Sequence, residues 1–169
     1  MTGSNMFFKS MPNIIYKYQD KTIITKDIFK RVGFSSSIAS KVNLVSYYIG
    51  DGETPDMVAD KFYGSSQYHW LILTCNDIVN VYEEWPVPNS KIFELVESKY
   101  GAGNATDTHH YCLTSDTNIV VDYAPGGNIQ EVSNYTYEQE VNDSKRQIFI
   151  LKTEYLKDFV NVYKKLMAQ

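Results

Sequence analysis

DGETPDMVADKFYG, residues 51–64, contains a complete helix with both of its ends marked. Thr54 stands where an N-cap belongs, Pro55 takes the first helical position, and Asp56 puts negative charge near the positive end of the helix dipole. Val58, Ala59, Phe62 and Tyr63 recur at spacings of three and four, which makes one apolar stripe, and Gly64 offers the left-handed backbone that stops the helix. A second helix follows in QYHWLILTCND (67–77), capped by Ser65 or Ser66 and ended by Asn76. Its Tyr68, Leu71, Ile72 and Cys75 share a side that Trp70 and Leu73 widen, so it is expected to be mostly buried. Upstream, NLVSYYIG (43–50) is β-branched and aromatic enough for a strand, and Gly50-Asp51-Gly52 turns the chain into the first helix.

Outward from this strand and helical pair the signals are shorter. In residues 1–43, YQDKT (18–22) is a polar turn, Ile23-Ile24 suggest a short strand, and TKDIFKRV (25–32) suggests one or two helical turns capped by Thr25. Such a segment buries too little to stand alone, so it is expected to lie as an arm on its own domain or on a partner. WPVPN (85–89) is a stiff extended connector, because each proline restricts itself and the residue before it. Asn89 or Ser90 then caps a third helix, KIFELVESKY (91–100), which Gly101 ends. HYCL (110–113) and NIVVDY (118–123) suggest a hairpin, residues 131–144 a surface loop or a loose helix, and RQIFIL (146–151) a strand. Thr153 is placed to cap a last helix in which Leu156, Phe159, Val160 and Tyr163 recur at helical spacing. The predicted fold class is α+β, with a central β-α-α-β module. The expected divisions are an N-terminal arm (1–43), a helical module with an extension helix (44–100), and a C-terminal region of hairpin, loop, strand and helix (101–169).

The bulk numbers set limits on function. A chain of 169 residues with 43% hydrophobic content is long enough to bury a core. A net charge of −4 without clustered Lys and Arg argues against a sequence-independent grip on nucleic acid. No stretch reaches the roughly 20 apolar residues of a membrane-spanning helix. The first residues, MTGSNMFFKSMPNIIYKY, lack the apolar core and cleavage site of an export signal, so assembly in a cytosol is expected. Cys75 and Cys112 are expected as buried free thiols. The 14 tyrosines favour a binding protein, since a phenol joins a rigid apolar face to a hydroxyl that tolerates a wet rim.

Chemistry finds little support. His69 sits beside Trp70 within a helix, where a hydrogen-bonded structural role is the ordinary one. His109, His110 and Cys112 bring a metal to mind, but strand alternation sends His109 and His110 to opposite faces, and a zinc site needs further ligands. Glu83 and Glu84, being adjacent, do not face each other across a glycosidic bond. Neither a phosphate-binding glycine loop nor a nucleophile motif is present. The expectation is a non-enzyme without metal or cofactor.

The strand, GDGET turn, helix, FYG break, second helix and Asn together resemble a LysM module, whose β-α-α-β fold often binds N-acetylglucosamine polymers. A broader resemblance covers nearly the whole chain. ITKDIFKRV (24–32), YYIGDGETPDMVADKFYGSSQYHWLILTCND (47–77), VYEEWPVP (81–88), HHY (109–111) and KRQIFIL (145–151) are similar, in order and spacing, to the LysM-like baseplate wedge proteins of contractile-tailed, T-even-type phages. That resemblance implies a structural protein of the virion tail, assembled in the host cytoplasm. It implies multiple copies per baseplate, joining neighbouring wedge subunits around the hub, with no nucleic acid or membrane as partner. Large rings beside stiff backbone lose little freedom on docking, so Phe29, Tyr82 and Trp85 are the expected partner-binding residues, with packing inside the chain as the competing role for Trp85. The competing function is a peptidoglycan-binding module that uses Asp51, Glu53 and Asn76.

Overall fold

The computed structural model describes residues 11–28, 30 and 43–168. The fold is α+β. In chain order the elements are β1 (Asn13–Tyr18), β2 (Lys21–Lys26), β3 (Leu44–Tyr48), α1 (Pro55–Tyr63), α2 (His69–Cys75), α3 (Val81–Glu84), α4 (Asn89–Tyr100), β4 (Thr108–Leu113), β5 (Val120–Val121), β6 (Ile129–Ser133), α5 (Asn134–Ser144), β7 (Gln147–Leu151) and α6 (Leu156–Ala168). They pack as two compact units, the first from the described parts of Met1–Tyr47, Thr54–Val81 and Ile148–Gln169, the second from Tyr48–Glu53 and Tyr82–Gln147.

In the first unit, strand β3 pairs with β7. The backbone bonds Lys152 N–H to Asn43 C=O (2.9 Å) and Ile49 N–H to Arg146 C=O (2.8 Å) make the pair antiparallel. β7 alternates as a half-buried strand should, with Ile148 and Ile150 inside and Gln147 and Phe149 outside. Its other edge is closed by a side chain: the Asn76 amide donates to Phe149 C=O at 2.8 Å and accepts from Phe149 N–H at 2.7 Å. The core joins Trp70 and Leu71 of α2 to Leu151 and to Phe159, Tyr163 and Met167 of α6. Trp70 lies 4.5 Å from Tyr163 between ring centroids. Tyr63 donates its hydroxyl to Leu151 C=O at 3.0 Å, and burial pushes that phenol well above its usual range.

The first helix has the predicted bounds. Gly64 adopts φ 67° and its N–H reaches Asp60 C=O, which ends α1. Thr54 is the N-cap by position only; its hydroxyl donates to Asp56 Oδ1 at 2.5 Å and takes no helix N–H. β1 and β2 form an antiparallel hairpin closed by Gln19 and Asp20, both at positive φ. Thr25 therefore lies within β2 and starts no helix. The hairpin is tied down by Met11, which is buried in the core, and by Lys26 Nζ on the Met11 carbonyl at 2.8 Å.

In the second unit α4 buries Ile92 and Val96 against Ala105. Asn89 is helical here, and Pro88 holds the cap position, because the Asn89 side chain is taken up elsewhere. The predicted hairpin is present as β4 and β5, and β6 extends it on the other side in the order β5-β4-β6. Residues 134–144, expected as loop or loose helix, form the regular helix α5, started by Ser133 Oγ accepting from Thr136 N–H at 3.2 Å. Its buried residues are Asn134, Glu138 and Asn142, a stripe at helical spacing made of polar side chains. The last helix begins after a 3-10 turn at Thr153–Tyr155, and Thr153 does not cap it; its hydroxyl donates to Phe62 C=O at 3.1 Å. Cys75 and Cys112 are free thiols, and burial pushes that of Cys75 up to about 12.

Candidate functional site

The run YEEWPVPN, residues 82–89, is held at alternating positions by the rest of its unit. Lys145 Nζ donates to Glu83 C=O at 2.7 Å. Trp85 Nε1 donates to Glu53 C=O at 2.8 Å. The Asn142 side chain accepts from Val87 N–H at 2.8 Å and donates to Val87 C=O at 3.0 Å, so one amide serves as a strand partner for one residue. Asn89 N–H donates to Asp51 Oδ1 at 2.8 Å. Prolines 86 and 88 restrict the torsions in between, so the backbone has little freedom left.

Arg146 lies at the centre of these bonds, with its side chain only 5% exposed. Its Nε donates to Asp143 Oδ1 at 2.8 Å, and Nη2 reaches Asn89 Oδ1 at 2.7 Å and Asp51 Oδ1 at 3.3 Å. The bond to Asp143, and then that to Asp51, hold the guanidinium pKa above its already high value, so the charge is permanent. A buried cation is tolerable only with its fork filled, and here acidic and amide oxygens fill it.

Next to this, the buried Glu138 carboxylate accepts from Lys99 Nζ at 2.5 Å and from Tyr100 Oη at 2.7 Å. Burial pushes its pKa up, but those two donors outweigh burial and hold it below the usual glutamate range. A register shift in the β4–β6 ladder between Thr108 and His110 is a bulge at His109. The two imidazoles consequently do not point to opposite faces as alternation predicts. Their Nδ1 atoms are 2.8 Å apart, and His109 stacks on Tyr137 with centroids at 3.9 Å. Burial, then the His110 charge, lower the His109 pKa. Among the described residues no group of three His, Cys, Asp or Glu side chains is placed to hold a metal ion.

The expected docking rings separate. Tyr82 is 95% exposed and Trp85 is 5% exposed, with its indole N–H already bonded within the chain. Phe29 lies outside the described residues. The three expected glycan ligands each serve the chain's own structure: Asp51 binds Asn89 N–H and Arg146, Glu53 Oε2 accepts from Gly50 N–H at 2.8 Å, and Asn76 holds β7. Sequence reasoning missed the clamp residues Asn142, Lys145 and Arg146, and only the prolines they surround gave a signal that this segment is fixed.

The family model described as Base plate wedge protein 53 matches residues 6–124, which include the whole clamped run. The chain belongs to that family. It is also 28% identical over 164 residues to the baseplate wedge protein gp53 of Enterobacteria phage T4, with 85% of this chain and 81% of that relative covered. Asn142, Lys145 and Arg146 lie beyond the stretch matched by the wedge-protein model, although they hold a segment inside it. No helix among the described residues is long and apolar enough to cross a membrane.

Proposed function

We propose that this protein is a non-catalytic structural component of a phage contractile-tail baseplate, joining neighbouring wedge subunits around the hub through the 82–89 segment. The observation that carries the docking role is Tyr82, a fully presented ring on backbone fixed by its own unit, while Trp85 holds the segment from the inside. Docking a side chain whose backbone is already ordered costs little entropy, which suits an anchor. Membership of the wedge-protein family supports the baseplate setting and the location in the virion tail. The strand, two helices and returning strand of the first unit support a LysM-like module used as a mounting block. The engagement of Asp51, Glu53 and Asn76 within the chain favours this reading over a carbohydrate groove.

Complementation of a phage lacking this gene tests the proposal. Tyr82→Ala is expected to leave the circular dichroism spectrum and melting temperature unchanged while blocking incorporation into baseplates. Normal incorporation of the variant would remove the anchor. Cosedimentation of the purified protein with insoluble peptidoglycan, lost on substitution of Asn76, would favour the carbohydrate reading instead.

A further inference from the structure

A two-stranded hairpin in water is marginal unless one face is covered. Here the face of β1–β2 that carries Ile15 and Ile24 is open, at 69% and 65% exposed. The register pairs Ile15 with Ile24, and strand alternation puts Lys17 and Lys26 on the same face, one at each end of the isoleucine pair. Between Asn13 and Lys26 the hairpin carries Lys17, Lys21 and Lys26 against the single acid Asp20, in a chain whose net charge is −4. The complementary chemistry is present on the same polypeptide. Tyr82 is presented on α3 with Glu83 and Glu84 beside it, and both glutamates are exposed. One surface is an apolar pair with a lysine at each end; the other is an exposed ring followed in sequence by two exposed acids.

We infer that the hairpin of one copy docks on the Tyr82-Glu83-Glu84 segment of a second copy, so that the chain associates head to tail. The ring covers the Ile15–Ile24 pair, and Glu83 meets Lys17 at the rim. Two different patches meet, so the contact is heterologous, and each docked copy still offers one free patch to the next. Opposite charges at the rim select the register and speed the encounter, and like charges there oppose it. This rests on the reading of residues 82–89 as a docking segment and names the neighbour as another copy of the chain.

Sedimentation velocity on the full-length protein over a wide concentration range at low ionic strength tests the inference, because rim charges are least screened there. The wild type is expected to pass beyond the dimer as concentration rises. Lys17→Glu and Glu83→Lys are each expected to weaken that association by about tenfold or more. Mixed together, the two single variants should again pass beyond the dimer, since the wild-type hairpin of one meets the wild-type segment of the other and the two reversed patches meet each other in alternation. The doubly reversed chain should regain association. A wild type that stays monomeric, or that associates equally well with either reversal, overturns the inference. If it stays monomeric while Tyr82→Ala still fails to enter baseplates, the wedge-joining role stands and the neighbour is a different subunit.

Discussion

Asn142 commits both halves of its side-chain amide to Val87, and it is 2% exposed. Asn142→Ala leaves a peptide N–H and a C=O without these partners, at a cost of about 2–4 kcal/mol. Urea denaturation is expected to show that loss; an unchanged midpoint would mean that water replaces the amide. Glu138 gives a second prediction at this scale. Its folded pKa lies below the ordinary 4.5, so its contribution to stability is present above that value and is lost as pH falls through the folded pKa. Glu138→Gln should therefore narrow its stability deficit against the wild type as melts are taken from neutral pH to below about 4.5. A deficit constant with pH would show that the carboxylate charge contributes nothing. Neither residue was legible in the sequence, where apolar periodicity identifies a buried helical face. The face that α5 buries is Asn134, Glu138 and Asn142, which carries no such signal.

The elements that declared themselves were those whose ends are fixed by backbone chemistry. Gly64 at φ 67° and Gly101 at φ 97° end α1 and α4 where the sequence puts their C-termini. The N-terminal ends were less legible, because Thr54, Asn89 and Thr153 spend their side chains on Asp56, Arg146 and Phe62 instead of on helix N–H groups. This asymmetry is testable. Gly64→Ala meets no neighbouring atom but must adopt the left-handed conformation, at about 1 kcal/mol, whereas Thr54→Ala should cost less than the ~1 kcal/mol of a true cap. Equal losses in denaturant midpoint would contradict the geometry. The bulge at His109 was illegible for a related reason: alternation assumes an unbroken ladder, and one extra residue turns the ring to the other face.

At the scale of the molecule, the sequence suggested a strand and a helical pair but not their closing partner. The β3–β7 pairing is flanked by backbone bonds between Asn43 and Lys152 and between Ile49 and Arg146, the latter pair 97 positions apart in the chain, and no local pattern reports such a pairing. Because the two units have separate cores, replacing residues 82–146 with a short Gly-Ser linker is expected to leave the first unit folded. Helical circular dichroism with a single cooperative melt would show this, and a broad, non-cooperative transition would show that the units depend on each other for stability.

The late arrival of β7 has a consequence for synthesis. When Val81 leaves the ribosome, Leu71 and the neighbouring apolar side chains of the helical pair still lack Leu151, Phe159 and Met167 to cover them. Translation adds about 5–20 residues each second, so this oily surface stays uncovered for several seconds on every nascent chain. During that interval the residues from 82 to 147 can complete their own packing first, and the segment that would bind a neighbour is shaped before the base that carries it. Chaperone capture is expected to be strongest in that window and to end once the C-terminal helix has cleared the exit tunnel.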